Sequence, residues 1–133
     1  MFNFKKVSKP NLNAVNSIIA GDMEIEGRIT FHGTLKIAGK INGDIFEAED
    51  RTGDTTVIIE GSVHGGTIEA DHVVITGRVV VKKVIAHKSL IVISDGNVVS
   101  DEIRYGSITS DDTAVINGKL EKIVNESGLT VEA

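Results

Sequence analysis

From Met23 to Ile45 every odd position is apolar or glycine: Met23, Ile25, Gly27, Ile29, Phe31, Gly33, Leu35, Ile37, Gly39, Ile41, Gly43 and Ile45. The even positions between them are mostly polar, among them Glu24, Glu26, Arg28, Thr30, His32, Lys36, Lys40 and Asp44. Alternation sustained over that length has period two, so the segment is predicted to form strands with one buried face. Gly27, Gly33 and Gly39 fall six residues apart, each after two inward apolar positions. A short strand followed by a residue free to adopt positive φ makes a straight face and then a corner. Three such faces make a triangular coil of about 18 residues, hydrogen-bonded to the next coil as parallel rungs around a narrow core.

Later segments repeat the unit less strictly: Val57 to Val63, Val73 to Val79, Leu90 to Ile93 followed by Gly96-Asn97-Val98, and Ala114 to Leu120. Taking Ile37, Ile59, Ile75, Ile93 and Ile116 as equivalent gives spacings of 22, 16, 18 and 23. The longer spacings coincide with polar insertions at Glu49-Asp50-Arg51-Thr52-Gly53-Asp54 and Ser110-Asp111-Asp112, which are expected to loop out at corners. The turn pairs Asn42-Gly43 and Asn117-Gly118 sit inside the alternating pattern, which argues against a hairpin-based barrel or sandwich. No stretch shows helical periodicity. The expectation is an all-β, single-domain parallel β-helix with triangular cross-section over residues 18–123. It is flanked by a flexible leader, 1–17, and a short tail, 124–133.

The 133 residues suit one domain, and the absence of cysteine excludes disulfides and thiolate chemistry. No run is long and apolar enough to span a bilayer as a helix. The net charge of −5 is unevenly spread. Residues 1–21 hold Lys5, Lys6 and Lys9 and no acid, whereas the remainder holds 11 basic residues and all 19 acids, a balance of −8. The acidic body argues against specific nucleic-acid binding. In the leader, Met1, Phe2 and Phe4 suit the membrane interface, while Lys5, Lys6 and Lys9 suit anionic head groups.

A short solenoid has two ends, where strand edges and core cross-section are open unless something caps them. No capping helix is evident. The approach Ala14-Val15-Asn16-Ser17-Ile18-Ile19 is itself strand-like, and the last repeat keeps its inward pattern to Leu120 and Ile123. Ile18, Ile19, Met23 and Ile25 at one end, and Val115, Ile116, Leu120 and Ile123 at the other, are therefore the candidate surfaces for stacking copies of the chain into a homopolymer.

The units Ile25-Glu26-Gly27-Arg28-Ile29, Ile37-Ala38-Gly39-Lys40-Ile41-Asn42-Gly43-Asp44-Ile45, Ile59-Glu60-Gly61-Ser62-Val63 and Ile75-Thr76-Gly77-Arg78-Val79 resemble those of the bactofilins, bacterial polymer-forming cytoskeletal proteins. The resemblance covers about residues 18–123 and implies a right-handed triangular β-helix of about six windings. It implies nucleotide-independent assembly into non-polar filaments, by head-to-head and tail-to-tail stacking. It also implies a cytoplasmic location on the inner face of the cell membrane, where family members position peptidoglycan-modifying enzymes and other cell-shape proteins. The leader is similar to the membrane-targeting N-terminus of some bactofilins. The unit is interrupted at Lys82-Lys83-Val84 and near Ser94-Asp95-Gly96.

Two other readings compete with a scaffold: a left-handed hexapeptide-repeat acyltransferase and a monomeric β-helix binding module. The acyltransferase needs many strict hexads and a catalytic histidine. Here the strict hexads span only about 20 residues, and His32, His64, His72 and His87 are scattered without a metal-pair spacing. No catalytic residue, cofactor or metal ligand is expected. The acids Asp54, Asp71, Asp95, Asp111 and Asp112 suit corners. Arg28, Lys36 and Lys40, with Arg78, Lys82, Lys83 and Lys88, are candidates for an outward basic stripe.

Overall fold

The computed structural model describes residues 15–50 and 52–124. They form ten strands and no helix: β1 (Ser17–Ile19), β2 (Glu24–Phe31), β3 (Thr34–Ile37), β4 (Lys40–Glu47), β5 (Thr56–Ile59), β6 (Ser62–Ile75), β7 (Arg78–Val92), β8 (Asn97–Tyr105), β9 (Ile108–Ser110) and β10 (Val115–Lys122). Every pairing is parallel and joins one winding to the next, as the alternating pattern predicts for a solenoid.

The registers resolve three faces of six rungs each. The first face stacks β1, β3, β5, the last part of β6 from His72, the last part of β7 from Ser89, and β9. The second stacks the opening halves of β2, β4, β6, β7, β8 and β10, and the third stacks the portions of those same strands beyond the next corner. β6 and β7, at 14 and 15 residues, run unbroken around two corners and are strands on all three faces. This is a triangular parallel β-solenoid of six windings.

Each face sends a column of branched apolar side chains to the axis. Ile19, Ile37, Ile59, Ile75 and Val92 form the first. Ile41, Val63, Val79 and Val98 form the second, and Ile45, Ile68, Val84 and Ile103 the third. The first face sends a further column, Leu35, Val57, Val73 and Leu90. Apart from Ile19, at 7% exposure, and Leu35, at 3%, all of these side chains are completely buried. Each such burial is worth about 1.5–3 kcal/mol relative to an exposed side chain, so the stacked columns are the main stabilising element.

Two columns of glycine let the corners pack. Gly39, Gly61 and Gly77 line the corner between first and second faces, where a Cβ on Gly61 would collide with the Gly39 carbonyl and one on Gly77 with that of Gly61. Gly27, Gly43, Gly65 and Gly118 line the next corner, with φ between 126 and 152°. Where the glycine is missing, at Val81 and Ser100, the wall still turns.

The register confirms the equivalence of Ile37, Ile59 and Ile75 but not of the two later isoleucines. Ile75 pairs with Val92, and Ile93 already belongs to a corner. Ile116 pairs with Val98 on the second face. The β6–β7 register shifts between Ala70 and His72, upstream of this pairing, and the corner after Val92 then carries Ser94 and Asp95, both left-handed with φ of 54° and 72°. Their N–H groups donate to Asp111 Oδ2 at 2.9 Å and to Thr113 Oγ1 at 2.8 Å, so the next winding's corner holds this one. The Ser94 N–H, helped by the Thr113 hydroxyl and the N–H groups of Thr113 and Ala114, keeps the Asp111 carboxyl below its ordinary pKa.

Beyond β4 the second winding is lengthened, and Asp54 and Thr55 fold back on the wall. Thr55 N donates to Asp71 Oδ2 at 3.1 Å while Asp71 N donates to Thr55 Oγ1 at 2.9 Å. Asp54 Oδ2 lies 3.0 Å from Nε2 of His72, whose Nδ1 lies 2.6 Å from Ser89 Oγ. His72 is thereby completely buried at an outward-parity position of the first face. Asp54→Ala strips one bond from this buried imidazole and is expected to destabilise the fold by about 1–3 kcal/mol, read as a lower urea midpoint with unchanged slope.

Candidate polymerisation interface

The end windings carry strands paired on one side only, among the described residues. β1 and β2 pair with β3 and β4, and β9 and β10 pair with β7 and β8. Their outer N–H and C=O rows are edges of the kind that template a further strand.

The core is open at the same places. Ile25 and Ile29 continue the second and third inward columns above Ile41 and Ile45, yet both are part-exposed whereas their neighbours are completely buried. With Ile19, Phe31 and Leu35 they line a recess at the first winding, rimmed by polar groups such as Asn16. Asn16 anchors that rim: its Oδ1 accepts from Thr34 N at 2.8 Å and its own N–H donates to Thr34 O at 3.0 Å. At the opposite end Ile116 stacks on Val98 and Leu120 on Ile103. Val98 and Ile103 are completely buried, but Leu120 is 49% exposed. One winding inward the same columns are dry, so the exposure belongs to the ends.

The sequence-derived interface residues divide between the core cross-sections and the outer wall. Ile19 and Ile25 point into the cross-section of the first winding, and Ile116 and Leu120 into that of the last. Ile18 is in register with Lys36 and Val115 with Asn97, which puts both on the outer wall of the end windings. Met23 occupies the corner after β1, where its N–H donates to Ala20 O and its carbonyl accepts from Lys40 N. Ile123 comes directly after β10, with its N–H donating to Tyr105 O at 2.7 Å. Ile29, Phe31 and Ile108 also belong to the end cross-sections, beyond the residues expected from sequence. The odd-position series already contained the first two. Ile108 opens one of the shortest strands and carries no such signal. Met1, Phe2, Phe4, Lys5, Lys6 and Lys9 lie outside the described residues.

The basic residues do not form one stripe. Lys36 is on the first face, 3.4 Å from Glu60. Lys40 and Arg78 open the second face, Lys83 opens the third within 3.9 Å of Glu102, and Lys88 reaches Asp54 at 2.6 Å. Arg28 lies over the Phe46 ring, 4.3 Å from its centroid. Corners that rotate the wall every few residues scatter cations that are close in sequence.

A family model described as Bactofilin, polymer-forming cytoskeletal, matches residues 17–121. No curated protein and no solved structure matches the chain.

Proposed function

The chain belongs to the bactofilin family, and from that premise we propose that it is a non-enzymatic scaffold that polymerises end to end. The observation that carries this reading is that, among the described residues, both end windings combine one-sided strands with an open apolar cross-section. Apposed ends would pair edge to edge and carry the inward columns across the junction. No nucleotide is needed, because the driving forces are strand pairing and burial of apolar surface. Stacking joins like ends, so the filament is non-polar. Purified protein without nucleotide should pellet and show thin filaments in negative stain. Uniform monomers would overturn the proposal, and uniform trimers would point to the acyltransferase architecture.

The filament lies on the cytoplasmic face of the cell membrane, held by the leader, and presents its outer walls to cell-wall or cell-shape proteins. Two aromatics and three lysines bind a bilayer weakly in one copy, but a filament displays many copies at high effective concentration. Replacing Phe2 and Phe4 together by Ala is expected to release most of the protein from anionic liposomes in co-sedimentation while leaving filaments intact. Unchanged co-sedimentation would remove the leader from the account.

A further inference from the structure

Among the described residues one set of metal-ligating side chains converges: Glu47, Glu69 and His87, with their ligand atoms all within 4.8 Å of one another. They come from consecutive windings. Glu47 ends β4, Glu69 is in β6 and His87 in β7, all close to the corner between third and first faces. The geometry points to a divalent metal site, with Zn²⁺ as its fitting occupant.

The separations lie close to those of ligands around a small ion. His87 Nε2 lies 3.5 Å from Glu47 Oε2 and 2.7 Å from Glu69 Oε2. Ligands about 2.0–2.2 Å from a tetrahedral ion stand roughly 3.2–3.6 Å apart. The first separation already fits, and the second has to open by less than about 1 Å. His87 is 37% exposed and Glu69 28%, which leaves their side chains room for that adjustment.

Glu47 is the fixed member. Its side chain is only 7% exposed, and its other oxygen accepts from Thr55 Oγ1 at 2.6 Å. Thr55 is itself bonded both ways to Asp71. An outer-shell hydrogen bond of this kind orients a ligating carboxylate before the ion arrives. Access comes from a groove on the third face, whose lining includes Arg28, Phe46, Glu47 and Glu69.

Charge favours a dication. Two carboxylates and one imidazole converge at a partly shielded corner, a donor set that a divalent cation can bridge. A divalent ion balances both and takes the neutral imidazole as ligand. One nitrogen and two carboxylates suit Zn²⁺, whereas Ca²⁺ calls for more oxygen ligands and Mg²⁺ binds imidazole poorly. A tetrahedral ion held by three protein ligands would keep a fourth position for water or another ligand. Such an ion would staple the second, third and fourth windings together where the second is lengthened beyond β4, away from both polymerising ends.

The test is calorimetric titration of ZnCl₂ into the full chain, tag-free and chelator-treated. One equivalent per chain and a raised thermal midpoint are expected, with no saturable heat from MgCl₂. The double variant Glu69→Gln, His87→Gln should bind at least tenfold more weakly, while His64→Gln, at an exposed site on the second face, should bind as the parent does. In histidine NMR spectra of the unmodified chain, one equivalent of Zn²⁺ should shift the His87 imidazole and spare those of His32 and His64. No saturable site, equal loss in His64→Gln, or shifts confined to the other histidines would overturn the site. Filament formation is expected with or without the metal, so the test stands apart from that of polymerisation.

Discussion

Leu120→Lys is expected to abolish filaments and leave discrete dimers. Leu120 continues the column Ile45, Ile68, Val84, Ile103, and at 49% exposure it tolerates a charge in the isolated chain. At a junction the same ammonium would be buried without a partner, at a cost of about 3–5 kcal/mol. A dimer is expected if, as proposed, stacking joins like ends: the blocked C-terminal end leaves the N-terminal recess of Ile19, Ile25 and Ile29 free to pair once. Ile116→Glu should behave in the same way. Adding Ile25→Glu to either should yield monomers. Analytical ultracentrifugation separates the cases, with far-UV circular dichroism showing that the strands persist. Monomers from Leu120→Lys alone would mean that every junction joins unlike ends. Filaments from it would mean that this end is not the junction.

Gly43→Ala should be the most damaging single-methyl change in the body. Gly43 adopts φ of 152°, a conformation that L side chains rarely take. Its Cβ would also run into the Gly27 carbonyl, one winding away, with Gly65 stacked on the other side. Neither neighbour is a flexible side chain that can move aside. Backbone strain and the clash add, and a loss of about 2–4 kcal/mol is expected, seen as a lower midpoint in urea or heat. Gly53→Ala is the control. It also has positive φ, but its Cβ would meet nothing within 4 Å, so a distinctly smaller loss is expected there.

The wall of the solenoid is legible in the chain because period two is a local signal. The odd positions Ile25, Ile29, Phe31, Leu35, Ile37, Ile41 and Ile45 all face the axis or its open end, as the alternation alone implied. Repeat equivalence holds through Ile75 and fails at Ile93, downstream of the register shift between Ala70 and His72. The corner there carries two non-glycine residues that turn left-handed on support from Asp111 and Thr113 in the next winding. That support is 17 to 18 residues distant, and no local pattern announces it. The same physics hides the cluster of Glu47, Glu69 and His87. In a solenoid, neighbours across rungs are separated by the length of a winding, which varies with each insertion, so ligand spacing obeys no motif. Of the candidate interface, the inward members Ile19, Ile25, Ile116 and Leu120 are predictable from parity. The outward placement of Ile18 and Val115 obeys the same parity once the register is known.

Continuity of the β-solenoid across subunit junctions is most directly measured by cryo-electron microscopy of filaments grown without nucleotide. Rungs should recur every ~4.8 Å along the filament axis without a gap at junctions. Six windings per chain then give a subunit rise of about 29 Å, and head-to-head pairing doubles the repeat to about 58 Å. A ~4.8 Å rung repeat directed perpendicular to the filament axis, or subunits joined through their side walls with the end windings facing solvent, would contradict end-to-end stacking.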